Sequence, residues 1–97
     1  MRFEWDKVKN RTNVAKHKVS FETAISVFDD ASALSVADRI VNGEERGQTL
    51  GMVEGLILIV AHTWAEKDSD EVIRVISARK ATPTERRAYA KSKHGTS

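Results

Sequence analysis

The chain has no cysteine, a single proline (Pro83), and no apolar run longer than the six residues from Leu56 to Ala61. Each absence removes a class of answer. Without cysteine there is no disulfide framework and no thiolate zinc site, and only His17, His62 and His94, scattered along the chain, remain as soft ligands. No metal and no cofactor are therefore expected. A bilayer-spanning helix needs roughly 18 or more consecutive apolar residues, so no membrane association is expected either. The opening Met1-Arg2-Phe3-Glu4-Trp5-Asp6 carries charges where a secretion signal needs an apolar stretch, which makes a cytoplasmic location the expectation. No internal repeat, low-complexity segment or linker divides the 97 residues. One domain over 1–97 follows, with 93–97 as a frayed tail.

What is present is a chain with 40% hydrophobic and 31% charged residues, enough to build a core and solvate its surface. The net charge of +2 hides a segregation. Residues 1–22 hold six Lys/Arg against three Asp/Glu, residues 23–70 three against nine, and residues 71–97 seven against two, giving +3, −6 and +5. If the fold brings the two basic ends together, they form one positive surface suited to a phosphate backbone.

Periodicity predicts an α+β fold. Phe3-Glu4-Trp5 reads as a short strand, and Asp6 as the cap of a surface helix from about Lys7 to His17. Ser20 caps a second helix to about Phe28, with Phe21, Ala24, Ile25 and Phe28 at core-facing spacing. The pattern then becomes strand-like over Leu34 to Ile40, Arg46 to Val53, Leu56 to Trp64 and Val72 to Ser77. Asn42-Gly43 and Glu54-Gly55 supply hairpin turns, and Lys67-Asp68-Ser69-Asp70 a longer one. The consecutive apolar residues around Leu56 to Val60 mark the central strand, buried on both faces. Thr82, Pro83 and Glu85 form a capping box that opens a last helix running to about Lys93. The expected architecture is an antiparallel sheet of four to five strands with two N-terminal helices and one C-terminal helix.

Three ordered blocks carry a family resemblance. The first is Phe3-Glu4-Trp5-Asp6, Lys9, Asn13, Lys16-His17, Val19-Ser20-Phe21, Phe28 and Asp30. The second is Gly43-Glu44-Glu45-Arg46 with Gly51. The third is Ile73 to Ala81 with Glu85-Arg86 and Tyr89. Together they span Phe3 to Tyr89, and the chain resembles the BrnT family of toxins. The resemblance implies a RelE-like fold and RNA cleavage that arrests translation. It also implies a BrnA-type antitoxin in a 2:2 complex, with operator DNA contacted only through the antitoxin. Three positions depart from the family pattern: Lys7 replaces a frequent Pro, Lys18 a frequent Gly, and Gly47 a frequent aromatic that could stack on a base.

Metal-free RNA cleavage needs a base for the 2′-hydroxyl proton, cations for the crowded phosphate and an acid for the leaving oxygen. Lys, Arg, His and Tyr can fill these roles. The catalytic candidates are His17, Arg46, Arg79 and Tyr89, and the RNA-binding candidates are Lys16, Lys80 and Arg86. Each has a structural alternative. A histidine at a helix C-terminus is favoured by the helix dipole without any chemistry. Arg46 could pair with a neighbouring acid, and Arg74 with Glu71 or another carboxylate. Alternation puts Arg74 and Arg79 on opposite faces of a regular strand, so they share a site only if that strand ends or bulges between them. The capping box accounts for Glu85, and Tyr89 could equally anchor the last helix. Trp5, Trp64 and His62 read as core or core-edge residues. The competing functional reading is a non-enzymatic module that binds nucleic acid or antitoxin, while a DNA-binding repressor lacks a helix-turn-helix pattern.

Overall fold

The first helix begins where the sequence places a carboxylate. In the computed structural model, which describes residues 1–94, the Asp6 side chain accepts from the Val8 and Lys9 amides at 2.7 and 3.1 Å and starts α1 (Lys7–His17). Those two bonds hold the carboxyl below its usual range. Lys18 ends α1 in the left-handed conformation at φ 63°, which explains why glycine suits that position. The remaining elements are β1 (Arg2–Glu4), α2 (Phe21–Ala24), a 3-10 helix (Ile25–Asp29), β2 (Leu34–Val41), β3 (Glu44–Val53), β4 (Leu56–Lys67), β5 (Asp70–Lys80) and α3 (Pro83–His94). The expected tail begins later than 93, and its last residues, 95–97, lie outside the described residues.

The second helix differs from its expected form. Only α2 is α-helical, and the chain then tightens to the 3-10 form. At three residues per turn, Phe21, Ala24 and Val27 stack on one side, and all three are fully buried. Ile25 and Phe28 are only partly buried. The cause is close packing on β3, where a side chain added at Gly51 would come within 2.8 Å of the Val27 Cβ.

The five strands form one sheet in the order β1-β5-β4-β3-β2. β2 to β5 make the expected antiparallel meander with β4 in the centre. β1 instead pairs in parallel with β5, which corrects the expectation of a wholly antiparallel sheet. A three-residue strand carries no periodicity from which its distant partner could be read. All three hairpins turn on two residues with positive φ: Asn42-Gly43, Glu54-Gly55 and Asp68-Ser69. The last is tighter than expected, because the polar pairs Glu66/Glu71 and Lys67/Asp70 extend the ladder beyond its apolar part.

Both flanking strands stop before the end of the strand they pair with, and a side chain takes over where each runs out. Beyond β1, Asn13 of α1 donates to the Ala78 carbonyl at 2.7 Å and accepts from its amide at 3.1 Å, pairing with β5 as a strand would. The same amide group donates to Val19 O at 2.8 Å, fixing the turn after α1. Beyond β2, the Asp30 carboxylate accepts from the Met52 amide of β3 at 2.8 Å. Edge backbone that would otherwise lack a partner is thereby satisfied.

Paired residues of a ladder share a face, so the register sorts the sheet into two sides. Leu58, Val60, Val75, Ala78 and Val53 face α2 and the 3-10 helix and form the larger core. Leu50, Ile59 and the flanking Ile57 and Leu34 face the other way, under Ala81 and Tyr89. α3 covers only this half of the second side. The rest of that side, the open face, has no helix over it among the described residues.

Candidate active site

Which side chains reach the open face is decided by two bulges. β4 and β5 change register between Ala61, opposite Ser77, and His62, opposite Val75, so Ile76 is the extra residue. The bulge resets alternation, and Arg74 (opposite Thr63), Ser77 and Arg79 (opposite Ile59) all point to the same side. This is the condition under which Arg74 and Arg79 could serve one surface. On β3, Arg46 also lies opposite Thr63. A second bulge, in β2 between Ala37 and Arg39, brings Arg39 opposite Arg46. Arg39, Arg46, Thr63 and Arg74 therefore form one line across four strands. Thr63 is buried, 1% exposed, between its two arginine neighbours.

The four arginines differ in what holds them. Arg74 donates to Glu44 at 2.7 Å, the alternative the sequence allowed but with a different acid from Glu71. Arg79 grips Glu85 with two nitrogens, at 2.8 and 2.9 Å, and Glu85 also accepts from the Thr82 amide at 2.8 Å. The Arg79 guanidinium, before all else, holds the Glu85 carboxyl down at about 2. The capping box and the candidate catalytic arginine are thus one unit. Arg46 and Arg39 make no ion pair among the described residues, and the buried Arg46 Nε has no hydrogen-bond partner there.

α1 meets this surface at the β5 bulge. Lys16 and His17 line a cleft of about 300 Å³ with Lys9, Ile76 and Ser77. The bulge that turns Arg79 to the second side, at the margin of α3, thus also lines the cleft that His17 lines. Both basic ends of the chain converge on β5: β1 pairs with it, α1 is bonded to it through Asn13, and α3 follows its end.

Three candidates lie elsewhere. Lys80 follows Arg79 by one residue and so points to the opposite side, into a groove with Lys18, Val53 and Leu56. Tyr89 is sealed beneath α3, 3% exposed, and its hydroxyl donates to Asp30 at 2.5 Å. That hydrogen bond and burial push the phenol up to about 12, far from a group poised to exchange protons at neutral pH. Arg86 is exposed on α3, one nitrogen donating to Ala81 O at 3.1 Å. His62 is fully buried, bonded to Thr49 Oγ1 at 2.8 Å and flanked edge-on by Phe28 and Trp64. Burial lowers its affinity for a proton.

Position 47 corrects the idea of a missing base-stacking platform. Gly47 pairs with His62 and faces the helix-packed side, where an added Cβ would meet the Val36 carbonyl and lie 2.7 Å from the Trp64 ring. An aromatic there would not lie on the arginine face. Sequence reasoning missed Arg39, which belongs to no motif and which simple alternation from Leu34 assigns to the wrong side.

A family model described as the ribonuclease toxin BrnT of type II toxin–antitoxin systems matches residues 5–85. No curated protein matches the chain. No helix among the described residues is long and apolar enough to cross a membrane. Nor do those residues contain a group of three or more His, Cys, Asp or Glu that could hold a metal ion.

Proposed function

Because this chain belongs to the BrnT family of ribonuclease toxins of type II toxin–antitoxin systems, we propose that it cuts RNA without a metal, on the open sheet face between α1 and β3. The reading is supported above all by the bulge at Ile76, which turns Arg74 and Arg79 to the side of Arg46 and sets His17 and Lys16 at the same edge. A phosphodiester laid over this face meets cations from three strands and a titratable imidazole at the rim. In the reaction the 2′-oxygen bonds to phosphorus as the bond to the 5′-oxygen breaks, leaving a 2′,3′-cyclic phosphate and a 5′-hydroxyl. His17 takes the 2′-hydroxyl proton and returns it to the leaving 5′-oxygen, and Arg46, which makes no ion pair among the described residues, stabilises the phosphorane. Arg79, already oriented by Glu85, and Lys16 add positive charge. Tyr89 has no chemical step in this account, and Lys80 and Arg86 do not join the scissile phosphate.

RNA cleavage of this kind arrests translation in the cytoplasm. We place the fold with the RelE-like toxins and the chain under a BrnA-type antitoxin in a 2:2 complex, with operator DNA reached only through that antitoxin. An acidic or apolar antitoxin element over the arginines would mask charge and exclude RNA together. Inducing the chain in cells without antitoxin tests the activity. Growth should stop and RNA fragment with the wild type, and neither should occur with His17→Ala combined with Arg46→Ala. Intact RNA under the wild-type chain would overturn the reading. It would favour a binding module, which the carboxylate partners already occupying Arg74 and Arg79 would suit.

A further inference from the structure

The β2 bulge has an odd local result. Ala37 lies opposite Gly47, and an unbroken ladder would next place Asp38 opposite Arg46, an acid against a base. The bulge skips Asp38 and sets Arg39 there instead. Two like charges directly opposite on adjacent strands destabilise a sheet, whereas the skipped pairing would have stabilised it. Neither arginine makes an ion pair among the described residues, and Arg46 Nε is buried with no partner. A conformation that replaces an attractive pair with a repulsive one is suited to an anion shared by the two guanidinium groups through their terminal nitrogens. Bulges recur where a side chain must be re-aimed beside a functional site.

We propose that Arg39 and Arg46 form a phosphate subsite for the RNA chain, separate from the contacts at Arg79. The rungs of Arg46 (Thr63) and Arg79 (Ile59) are four residues apart on β4, roughly 13 Å at strand rise. One phosphate does not span that distance, so the strand lies along the open face with a flanking phosphate at the β2–β3 end. Arg46 then contacts the reacting end from one side of its guanidinium and the flanking phosphate from the other. Arg39 is a binding residue with no part in proton transfer. The inference rests on the open face being where RNA binds, but it does not require that RNA be cut there.

A binding assay with a single-stranded 2′-O-methyl RNA, which cannot undergo the reaction, separates the two. Affinity is measured against salt for the wild type, Arg39→Gln, Arg39→Lys and, as a charge-loss control on α3, Arg87→Ala. Arg39→Gln should weaken binding about tenfold, and the slope of log K against log salt should shrink by about 0.7, the increment for one phosphate contact on a single strand. Arg39→Lys should keep the slope, and Arg87→Ala should match the wild type. Because a repulsion is removed, Arg39→Gln should melt no lower than the wild type, so weakened binding cannot be put down to unfolding. An unchanged slope in Arg39→Gln overturns the subsite, as does failure of the wild type to bind the analogue. Tight binding of the analogue without cleavage of ordinary RNA spares the subsite and overturns only the nuclease reading.

Discussion

Tyr89 separates two roles that a tyrosine close to a nuclease face can play. Its hydroxyl is bonded to Asp30, a residue that also holds the β3 edge and the turn at Ser32. If the phenol is an anchor, Tyr89→Phe should lower stability by about 1.5–3 kcal/mol, the range for a hydrogen bond to a charged group, and leave RNA cleavage within twofold of the wild type. Denaturant unfolding and a cleavage assay on the same preparation check both. His62 gives a pH signature. Burial makes the folded imidazole resist a proton that the unfolded one takes near 6.5. Stability from this group is therefore complete above that pH and declines as pH falls below it. Melting temperature should drop between pH 7 and 5, and the drop should shrink in His62→Gln. These roles were partly legible in the sequence: an apolar strand pointed to a buried histidine. The partner of Tyr89 was not, since Asp30 lies 59 residues away.

Among the elements, α1 and β5 depend on each other through one side chain. Asn13 is the only buried residue of α1, and its three hydrogen bonds reach Ala78 and Val19. Asn13→Ala would leave buried backbone groups unpaired and should cost about 2–3 kcal/mol in denaturant unfolding. Because α1 carries Lys16 and His17, the same change should also reduce cleavage. A loss of stability below about 0.5 kcal/mol would contradict this edge-sealing role, since that is the range of an ordinary surface change. Element type was readable wherever a local pattern exists: the caps at Asp6, Ser20 and Thr82, the apolar run of β4, the glycine turns. Bulges were not. Ile76 and Asp38 look like ordinary strand residues, and nothing in the local pattern marks them as the extra residues. The 3-10 turn at Val27 answers to the backbone of Gly51.

At the scale of the molecule, charge segregation along the sequence is carried only in part into space, since Arg39 and Arg46 on the open face come from the acidic middle of the chain. The basic ends converge on β5, while Glu45, Glu66 and Glu71 line a cleft with Trp64 and Ile40 away from α1. The sequence could show that two basic ends exist and that they resemble the blocks of a toxin family. It could not show that two bulges would gather four arginines on one side, or that Lys80 and Tyr89 would be left out. Arg46 makes no ion pair among the described residues, and its proposed role as the central cation of that side is the claim on which cleavage depends. It is tested most directly by cleavage of single-stranded RNA by the purified chain in excess chelator, comparing the wild type with Arg46→Ala at equal melting temperature. The wild type should cut, and Arg46→Ala should be slower by about 100-fold or more, the loss expected when one donor to a developing oxyanion is removed. Equal rates for the two proteins would contradict the account.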